Sequence, residues 1–205
     1  FGAQSTTGLS PIPLLQGVAV GGSTVISGAI AHRLPGEIFA RWAENDPQWD
    51  PTLWSQLETE FAELEHVLEI EAPLQSVFET LLAVSGARRL GWKIQPMRRF
   101  ARECRSSGKC LQGCPTGGKK SFELSLIPEV LRRGGQILTG VRVSHVLMKA
   151  GRAEGVVSAG PEPQEWLARR GVILAAGALH TPRILGRSGI RLPHLGRHLQ
   201  MHLGM

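Results

Sequence analysis

The segment from Gly171 to Ile190 constrains the fold more than any other part of the chain. Residues 172–176 form a short apolar run, which is typical of a strand covered on both faces. Gly177 predicts a turn after that strand. Thr181 and Pro182 predict the start of a helix, because Thr caps a helix well and Pro suits the first helical position. The segment therefore predicts a strand–turn–helix unit of an α/β protein.

Small residues dominate the predicted turn. Ala175, Ala176, Gly177 and Ala178 allow another group to approach the backbone closely. A strand that ends in small residues beside a helix N-terminus can bind a nucleotide cofactor, because free N–H groups and the helix dipole favour phosphate. An ordinary strand–turn–helix unit without a ligand has the same residues. Composition and spacing alone leave both interpretations open.

Three stretches of the sequence carry a family resemblance. Residues 175–185 read Ala-Ala-Gly-Ala-Leu-His-Thr-Pro-Arg-Ile-Leu, and Ser-Gly-Ile follows at 188–190. Residues 21–27 read Gly-Gly-Ser-Thr-Val-Ile-Ser, with Arg33 after them, and residues 196–202 read Gly-Arg-His-Leu-Gln-Met-His. In this order they closely resemble patterns of the glucose–methanol–choline (GMC) flavin oxidoreductases. The resemblance covers nearly the whole chain.

The resemblance implies an α/β fold that is part of a three-layer (ββα) Rossmann-like FAD-binding domain, with a helical substrate-side region. Residues 1–35 and 122–205 are expected in the FAD-binding domain, and residues 36–121 in a mainly helical substrate-side or lid region. The implied activity is oxidation of the CH–OH group of an alcohol, sugar or sterol, with hydride transfer to FAD. The electron acceptor stays open between oxygen, a quinone and a cytochrome.

The resemblance also implies cofactor contacts. In the family the Gly-Gly-Ser segment lines FAD, a strand Val meets the adenine through its backbone, and the last His lies near the flavin. The contacts implied here are Gly21, Gly22, Ser23, Thr24, Ser27, Val143, Ala176, Gly177 and His202. The sequence departs from the family at Ser27 and His198, where Asn is usual, and at Met201, where Asp is usual. No catalytic residue and no metal ligand is assigned to the chain.

Two parts of such an enzyme are not found in the sequence. A dinucleotide-binding unit has Gly-x-Gly-x-x-Gly, and the family places it before the Gly-Gly-Ser segment. The family's catalytic His, which acts as a base, lies near its C-terminus, beyond Met205. We therefore expect the missing N- and C-terminal parts to belong to the same, longer protein, and we expect the 205-residue chain alone to be inactive. A truncated, non-catalytic remnant is the alternative.

Three cysteines lie close together, at Cys104, Cys110 and Cys114. An iron–sulfur cluster needs four thiolates, and the chain has three cysteines. A zinc site would need a fourth ligand that is distant in sequence, such as His145. One disulfide between two of the cysteines would leave the third thiol unpaired. Residues 107–121 resemble a GMC branch that includes long-chain alcohol oxidases and carries Gly-Cys-Pro-x-Gly-x-Lys-x-Ser. We interpret the cysteines as structural or close to FAD, without a metal.

Charge is the basis for one further alternative. The net charge is +6, with basic residues clustered over 88–109 and acidic residues over 58–71. A basic nucleic-acid-binding module is possible in principle, but no RNA-recognition, zinc-finger or helix–turn–helix pattern accompanies the cluster. We expect the two clusters to form two solvent-exposed faces of opposite charge, and we expect no nucleic-acid partner.

No apolar run reaches the ~18 residues of a membrane span, and no signal peptide is visible, so cytoplasmic and periplasmic locations both stay open.

Local patterns predict the remaining elements. His194, His198 and His202 are spaced by four, but the intervening Leu-Gly argues against one regular helix through them. The predicted elements begin with a loop over 1–16, then a turn at 21–23 that opens a helix capped by Ser23 or Thr24 and running to about residue 31, and helical pieces over 36–51. They continue with helices over 53–70, 74–87 and 128–133, an extended stretch over 91–100, two strands within 136–149 broken near Gly140, and strands over 155–159 and 166–168.

Overall fold

The computed structural model describes residues 2–7, 11–46 and 48–201. Their order of elements is mixed, which agrees with the predicted α/β class. The helices are α1 (Gly36–Asn45), α2 (Leu53–Val67), α3 (Phe78–Arg89), α4 (Leu126–Arg132) and α5 (Gly177–Arg187). The strands are β1 (Gly2–Ser5), β2 (Pro13–Gln16), β3 (Ile70–Glu71), β4 (Arg99–Phe100), β5 (Val143–Lys149), β6 (Arg152–Ser158) and β7 (Glu165–Leu167).

The chain divides into two compact units, residues 1–137 and 138–205. The first unit opens with an antiparallel hairpin of β1 and β2, so the predicted loop over 1–16 is wrong. The Thr6 amide donates to the Ile12 carbonyl at 3.0 Å, and the Ile12 amide donates to the Thr6 hydroxyl at 2.9 Å. Pro13 begins β2, a strand position that tolerates the missing N–H donor.

Aromatic side chains hold the first two helices together. Phe39 of α1 is buried, and its ring lies 5.3 Å from Trp54 of α2 and 6.1 Å from Trp49 between centroids. Helix α2 confirms the helix predicted from residue 53, although it ends three residues early. Helix α1 is longer than the short pieces predicted there.

The segment after α2 is less regular than predicted. Helix α3 begins at Phe78, four residues later than expected, because Val77 before it is extended. Of the extended stretch over 91–100, only β4 is a strand, and it pairs antiparallel with β3. Isolated bridges join Ile30 to Arg99 and Ala101 to Lys119. Residues 99–101 therefore lie between the segments that contain residues 30 and 119.

The helix predicted to run from the turn at residues 21–23 to about residue 31 does not form. The structure has one 3₁₀ turn at Gly22–Thr24, followed by turns. Gly21 and Gly22 have φ of 90° and 58°, which fits the turn predicted at these glycines. The Val25 carbonyl accepts a hydrogen bond from Lys119 rather than from an amide one turn later. Side-chain contacts distant in sequence therefore override the local pattern.

The second unit is built on an antiparallel sheet in the order β5–β6–β7, with α5 packed against β5. Strands β6 and β7 confirm the two predicted near residues 155–159 and 166–168. Only one strand forms within residues 136–149, where two were expected. A Cβ at Gly155 would lie 2.2 Å from the Trp166 carbonyl oxygen, so this position of β6 has no room for a side chain.

The strand predicted over residues 172–176 is absent from the structure, although helix α5 follows as expected. Residues 172–175 pair with no strand among the described residues, and Ile173 is 94% exposed. A strand needs a neighbour to satisfy its backbone groups, which explains the difference. Helix α5 begins at Gly177, four residues before Thr181, so Pro182 lies inside it rather than at its first position.

Within the described part of the chain, no helix is both long and apolar enough to cross a membrane.

Candidate functional site

Side-chain hydroxyls shape the loop of residues 21–27, where five of the predicted cofactor contacts lie. The Thr24 hydroxyl donates to the Gly21 carbonyl at 2.6 Å and accepts from the Phe122 amide at 3.0 Å. The Ser27 hydroxyl donates to the Thr24 carbonyl at 3.1 Å, and Ser23 accepts from the Gly17 amide at 3.1 Å. All three hydroxyls therefore already stabilise the loop itself.

The two glycines of this loop differ in their surroundings. A Cβ at Gly21 would lie 2.5 Å from Glu123 Oε2, so the protein closes this glycine from one side. A Cβ at Gly22 would have no atom within 4 Å. Both residues have positive φ, which favours glycine. Gly22 thus leaves the space on its Cβ side open to a close neighbour, and this fits a loop that lines a bulky cofactor.

Lys119 contacts the same loop from within the protein. Its side chain is 3% exposed, and its ammonium donates to the carbonyls of Val25 and Ser27, each at 2.7 Å, and of Cys110 at 2.9 Å. Burial lowers the pKa of Lys119 from its ordinary value. Our sequence interpretation missed this role, although Lys119 is the lysine of the Gly-Cys-Pro-x-Gly-x-Lys-x-Ser pattern.

Residues just after the loop are held by the β4 segment. The Phe100 amide donates to the Ala29 carbonyl at 2.9 Å, and the Arg99 guanidinium donates to the Gly28 carbonyl. Ala29 is fully buried. Together with Lys119, these bonds fix the backbone from Val25 to Ala29.

The three cysteines are free thiols in the structure, each half-buried. Cys114 Sγ lies 3.3 Å from the Thr116 hydroxyl. Burial raises the pKa of the Cys114 thiol, but hydrogen bonds from Thr116 and from the Lys119 and Gly118 amides outweigh burial and lower it to about 7. Among residues 2–7, 11–46 and 48–201, no group of three His, Cys, Asp or Glu is arranged to hold a metal ion.

In the second unit, the predicted contacts lie at the ends of two elements. Val143 is the first residue of β5 and is half-buried. Ala176 is the residue before α5, and Gly177 opens that helix with φ of 82°. The Ala176 amide donates to the Thr181 hydroxyl at 3.1 Å, so this amide is satisfied within the helix start.

Ser188 connects α5 to β5, a role that the sequence analysis did not assign. Its hydroxyl accepts from the Val146 amide at 2.8 Å and donates to the Ile184 carbonyl at 2.7 Å. Ser188 belongs to the Ser-Gly-Ile stretch that carries part of the family resemblance, so the signal was present in the sequence. The hydroxyl fixes the helix end against the strand.

The C-terminal histidines do not share a helical face. His194 and His198 lie outside any helix, with ring centroids 5.6 Å apart, and His198 has φ of 59°. His202 lies outside the described residues, so its predicted contact with the flavin stays a prediction. The structure brings Gly21, Gly22, Ser23, Thr24 and Ser27 together in one loop, whereas Val143, Ala176 and Gly177 belong to the second unit.

Comparison with known proteins agrees with the sequence resemblance. The chain is 31% identical to an uncharacterised GMC-type oxidoreductase of Sinorhizobium fredii, over 98% of the chain and 41% of that protein. It is 32% identical to another from Mycobacterium tuberculosis, over 98% of the chain and 32% of that protein. A long-chain-alcohol oxidase of Arabidopsis thaliana is 25% identical over 92% of the chain and 27% of its own length.

The chain thus spans less than half the length of these relatives. The family described as GMC oxidoreductase matches residues 2–204, nearly the whole chain. The chain belongs to the GMC oxidoreductase family.

Proposed function

We propose that this chain forms the FAD-lining part of an oxidoreductase that oxidises the CH–OH group of an alcohol, sugar or sterol. The observation that carries the proposal is the preformed loop of residues 21–27 in a chain whose family match covers residues 2–204. Hydroxyls and a buried lysine hold this loop, while the space on the Cβ side of Gly22 stays open. Such a loop can bind a cofactor with little loss of conformational entropy.

The residues proposed to hold FAD are those of the family resemblance: Gly21, Gly22, Ser23, Thr24, Ser27, Val143, Ala176, Gly177 and His202. FAD, when bound, supplies the hydride acceptor. The glycines allow close backbone approach, and the start of α5 offers amide donors and a favourable helix dipole. Val143 would meet the adenine through its backbone. These residues bind and orient the cofactor, and none of them is proposed as the base.

The domain assignment belongs to the same proposal. Residues 1–35 and 122–205 would form a three-layer FAD-binding domain together with other parts of the complete protein, and residues 36–121 would face the substrate. Names of relatives support an alcohol substrate, since they include long-chain-alcohol oxidases and an oxygen-dependent choline dehydrogenase. We keep alcohols, sugars and sterols as the substrate class.

The test uses the full-length protein that carries this chain, purified and examined for bound flavin by visible absorption. We expect about one FAD per protein, and bleaching of its absorption when an oxidisable alcohol, sugar or sterol is added without oxygen. The 205-residue chain alone should hold no stoichiometric FAD and show no turnover. A full-length protein without flavin or turnover would indicate a non-catalytic remnant. If that protein instead bound DNA or RNA in a salt-dependent way, it would be a basic nucleic-acid-binding module.

A matched pair of variants tests the loop. Thr24→Val removes the hydroxyl that joins Gly21 to Phe122 and should weaken FAD binding about tenfold, because two hydrogen bonds are lost. Thr59→Val removes an exposed hydroxyl on α2 whose one hydrogen bond to a described residue goes to the Ser55 carbonyl, and it should leave FAD affinity unchanged. Equal affinities in both variants would contradict the proposed role of the loop.

A further inference from the structure

The ammonium of Lys119 has three N–H donors, and the structure gives each one a carbonyl acceptor. Two of these carbonyls, from Val25 and Ser27, lie in the loop proposed to line FAD, and the third is from Cys110. The side chain is buried, so water does not compete for these bonds. A neutral side chain of similar shape would leave the three carbonyls without this donor.

The direction of these carbonyls fixes the direction of the amides that follow them. In a planar trans peptide the C=O and the next N–H point to opposite sides. Because the Val25 and Ser27 carbonyls point to Lys119, the Ile26 and Gly28 amides point away from it. Neither amide donates a hydrogen bond to any other residue that the structure describes. The loop thus presents two polarised donors on the side opposite the lysine.

We infer that Lys119 is a positioning residue, which turns the amides of Ile26 and Gly28 outward as hydrogen-bond donors to the oxygen or nitrogen acceptors of the cofactor. The inference rests on the proposed function, and it adds two backbone contacts and one buried side chain to the site. Lys119 does not touch the cofactor itself. It acts through the peptide units between Val25 and Gly28.

The backbone around Lys119 supports this role. The Arg102 amide donates to the Gly118 carbonyl at 2.9 Å, and the Lys120 amide donates to the Phe100 carbonyl at 2.8 Å. These bonds fix the chain on both sides of Lys119. The Arg99 guanidinium donates to the Gly28 carbonyl and holds the peptide that follows Gly28. The lysine is therefore anchored independently of the loop that it orients.

The experiment compares three variants of the full-length protein. Lys119→Met keeps the length of the side chain but has no donor, and Lys119→Ala leaves a cavity. Lys120→Met is the matched control, because this neighbouring lysine bonds Glu69 at 3.0 Å and not the loop. We expect FAD to bind about tenfold or more weakly to both Lys119 variants and with unchanged affinity to the control.

Chemical rescue separates positioning from a general loss of structure. Ethylammonium has three N–H donors and can occupy the cavity of Lys119→Ala, whereas tetramethylammonium has the charge but no donor. We expect ethylammonium alone to restore FAD affinity, with the tryptophan emission of the protein unchanged. Should Lys119→Ala fail to fold, the same two cations are added during refolding and FAD affinity is measured afterwards, with the same expectation.

Two results would overturn the inference: FAD affinity in folded Lys119→Met equal to that of the wild type, or equal effects of the two cations on Lys119→Ala. Absence of flavin from the wild-type full-length protein would instead overturn the proposed function. The two failures are therefore distinguishable.

Discussion

Gly21 lies so close to Glu123 that a methyl group on its Cα would meet the carboxylate oxygen Oε2 at 2.5 Å. That oxygen is buried and has no hydrogen-bond partner in the described part of the chain, while Oε1 accepts from the Ser121 hydroxyl at 2.5 Å. The glycine is thus required by packing as well as by its φ of 90°. The loop and the segment that follows Lys119 constrain each other directly.

Gly21→Ala should therefore destabilise the protein by about 2–4 kcal/mol, because backbone strain and a close contact add. Gly22→Ala is the control, since it has a positive φ but open space at its Cβ, and it should cost about 1 kcal/mol from strain alone. Urea denaturation measures both. Equal losses of stability would show that the contact with Glu123 carries no cost.

Glu65 should make stability depend on pH in the acid range. Hydrogen bonds from Arg33 and then Arg98 lower the pKa of this carboxyl to about 2, against an ordinary value of 4.5. A lowered folded-state pKa means that the stabilisation is full above pH 4.5 and is lost as pH falls from 4.5 towards 2. The effect should be about 1 kcal/mol, because both arginines are well exposed to solvent.

Denaturation of wild type and Glu65→Gln between pH 7 and pH 2 tests this expectation. The difference in unfolding free energy should be largest near neutral pH and should shrink below pH 4.5. Glu63→Gln serves as the control, since Glu63 is exposed and forms no ion pair with a described residue. If the wild type still exceeded Glu65→Gln by the same unfolding free energy at pH 2 as at neutral pH, the prediction would be contradicted.

Ser188→Ala should destabilise the second unit by about 1–3 kcal/mol, since it leaves the amide of buried Val146 without its partner. Ser144→Ala is a milder change, because the one described partner of the Ser144 hydroxyl is the neighbouring His145 ring, at 3.2 Å. Hydrogen exchange at the Val146 amide reports the effect locally. Protection that is the same in both variants would rule out the proposed link between α5 and β5.

Cys114 should react with iodoacetamide with a midpoint near pH 7, because its thiol pKa is lowered to about 7 and the thiolate is the reactive form. Thr116→Val removes one hydrogen bond to the sulfur and should shift the midpoint to higher pH. Alkylation is quantified by mass spectrometry of the peptide that contains Cys114. A midpoint that does not move in the variant would exclude the Thr116 hydroxyl as a cause.

Sequence alone predicted the elements whose signal is local. Helix α2 and the strands β6 and β7 follow from periodicity and turn residues, and the structure confirms them. The helix predicted after the turn at residues 21–23 failed because Lys119, about ninety residues away, takes carbonyls that a helix would use. No local pattern contains that information.

In the candidate site, too, local motifs could be predicted and contacts between distant residues could not. The glycine-rich loop was recognisable as a sequence motif. The closeness of Glu123 to Gly21 was not, because it depends on the folded backbone. Ser188 and Lys119 both lie in stretches that carried the family resemblance. Their roles could be assigned only when the structure showed which backbone groups they bond.

The unpaired run at residues 172–175 has a consequence for handling the protein. Its Val, Ile and Leu side chains favour β-structure, Ile173 is almost fully exposed, and no strand in the described part of the chain lies beside its backbone groups. Such a segment is a template for pairing between molecules. Concentrated preparations of the 205-residue chain should therefore self-associate through this segment, and a single Lys at position 173 should keep them dispersed.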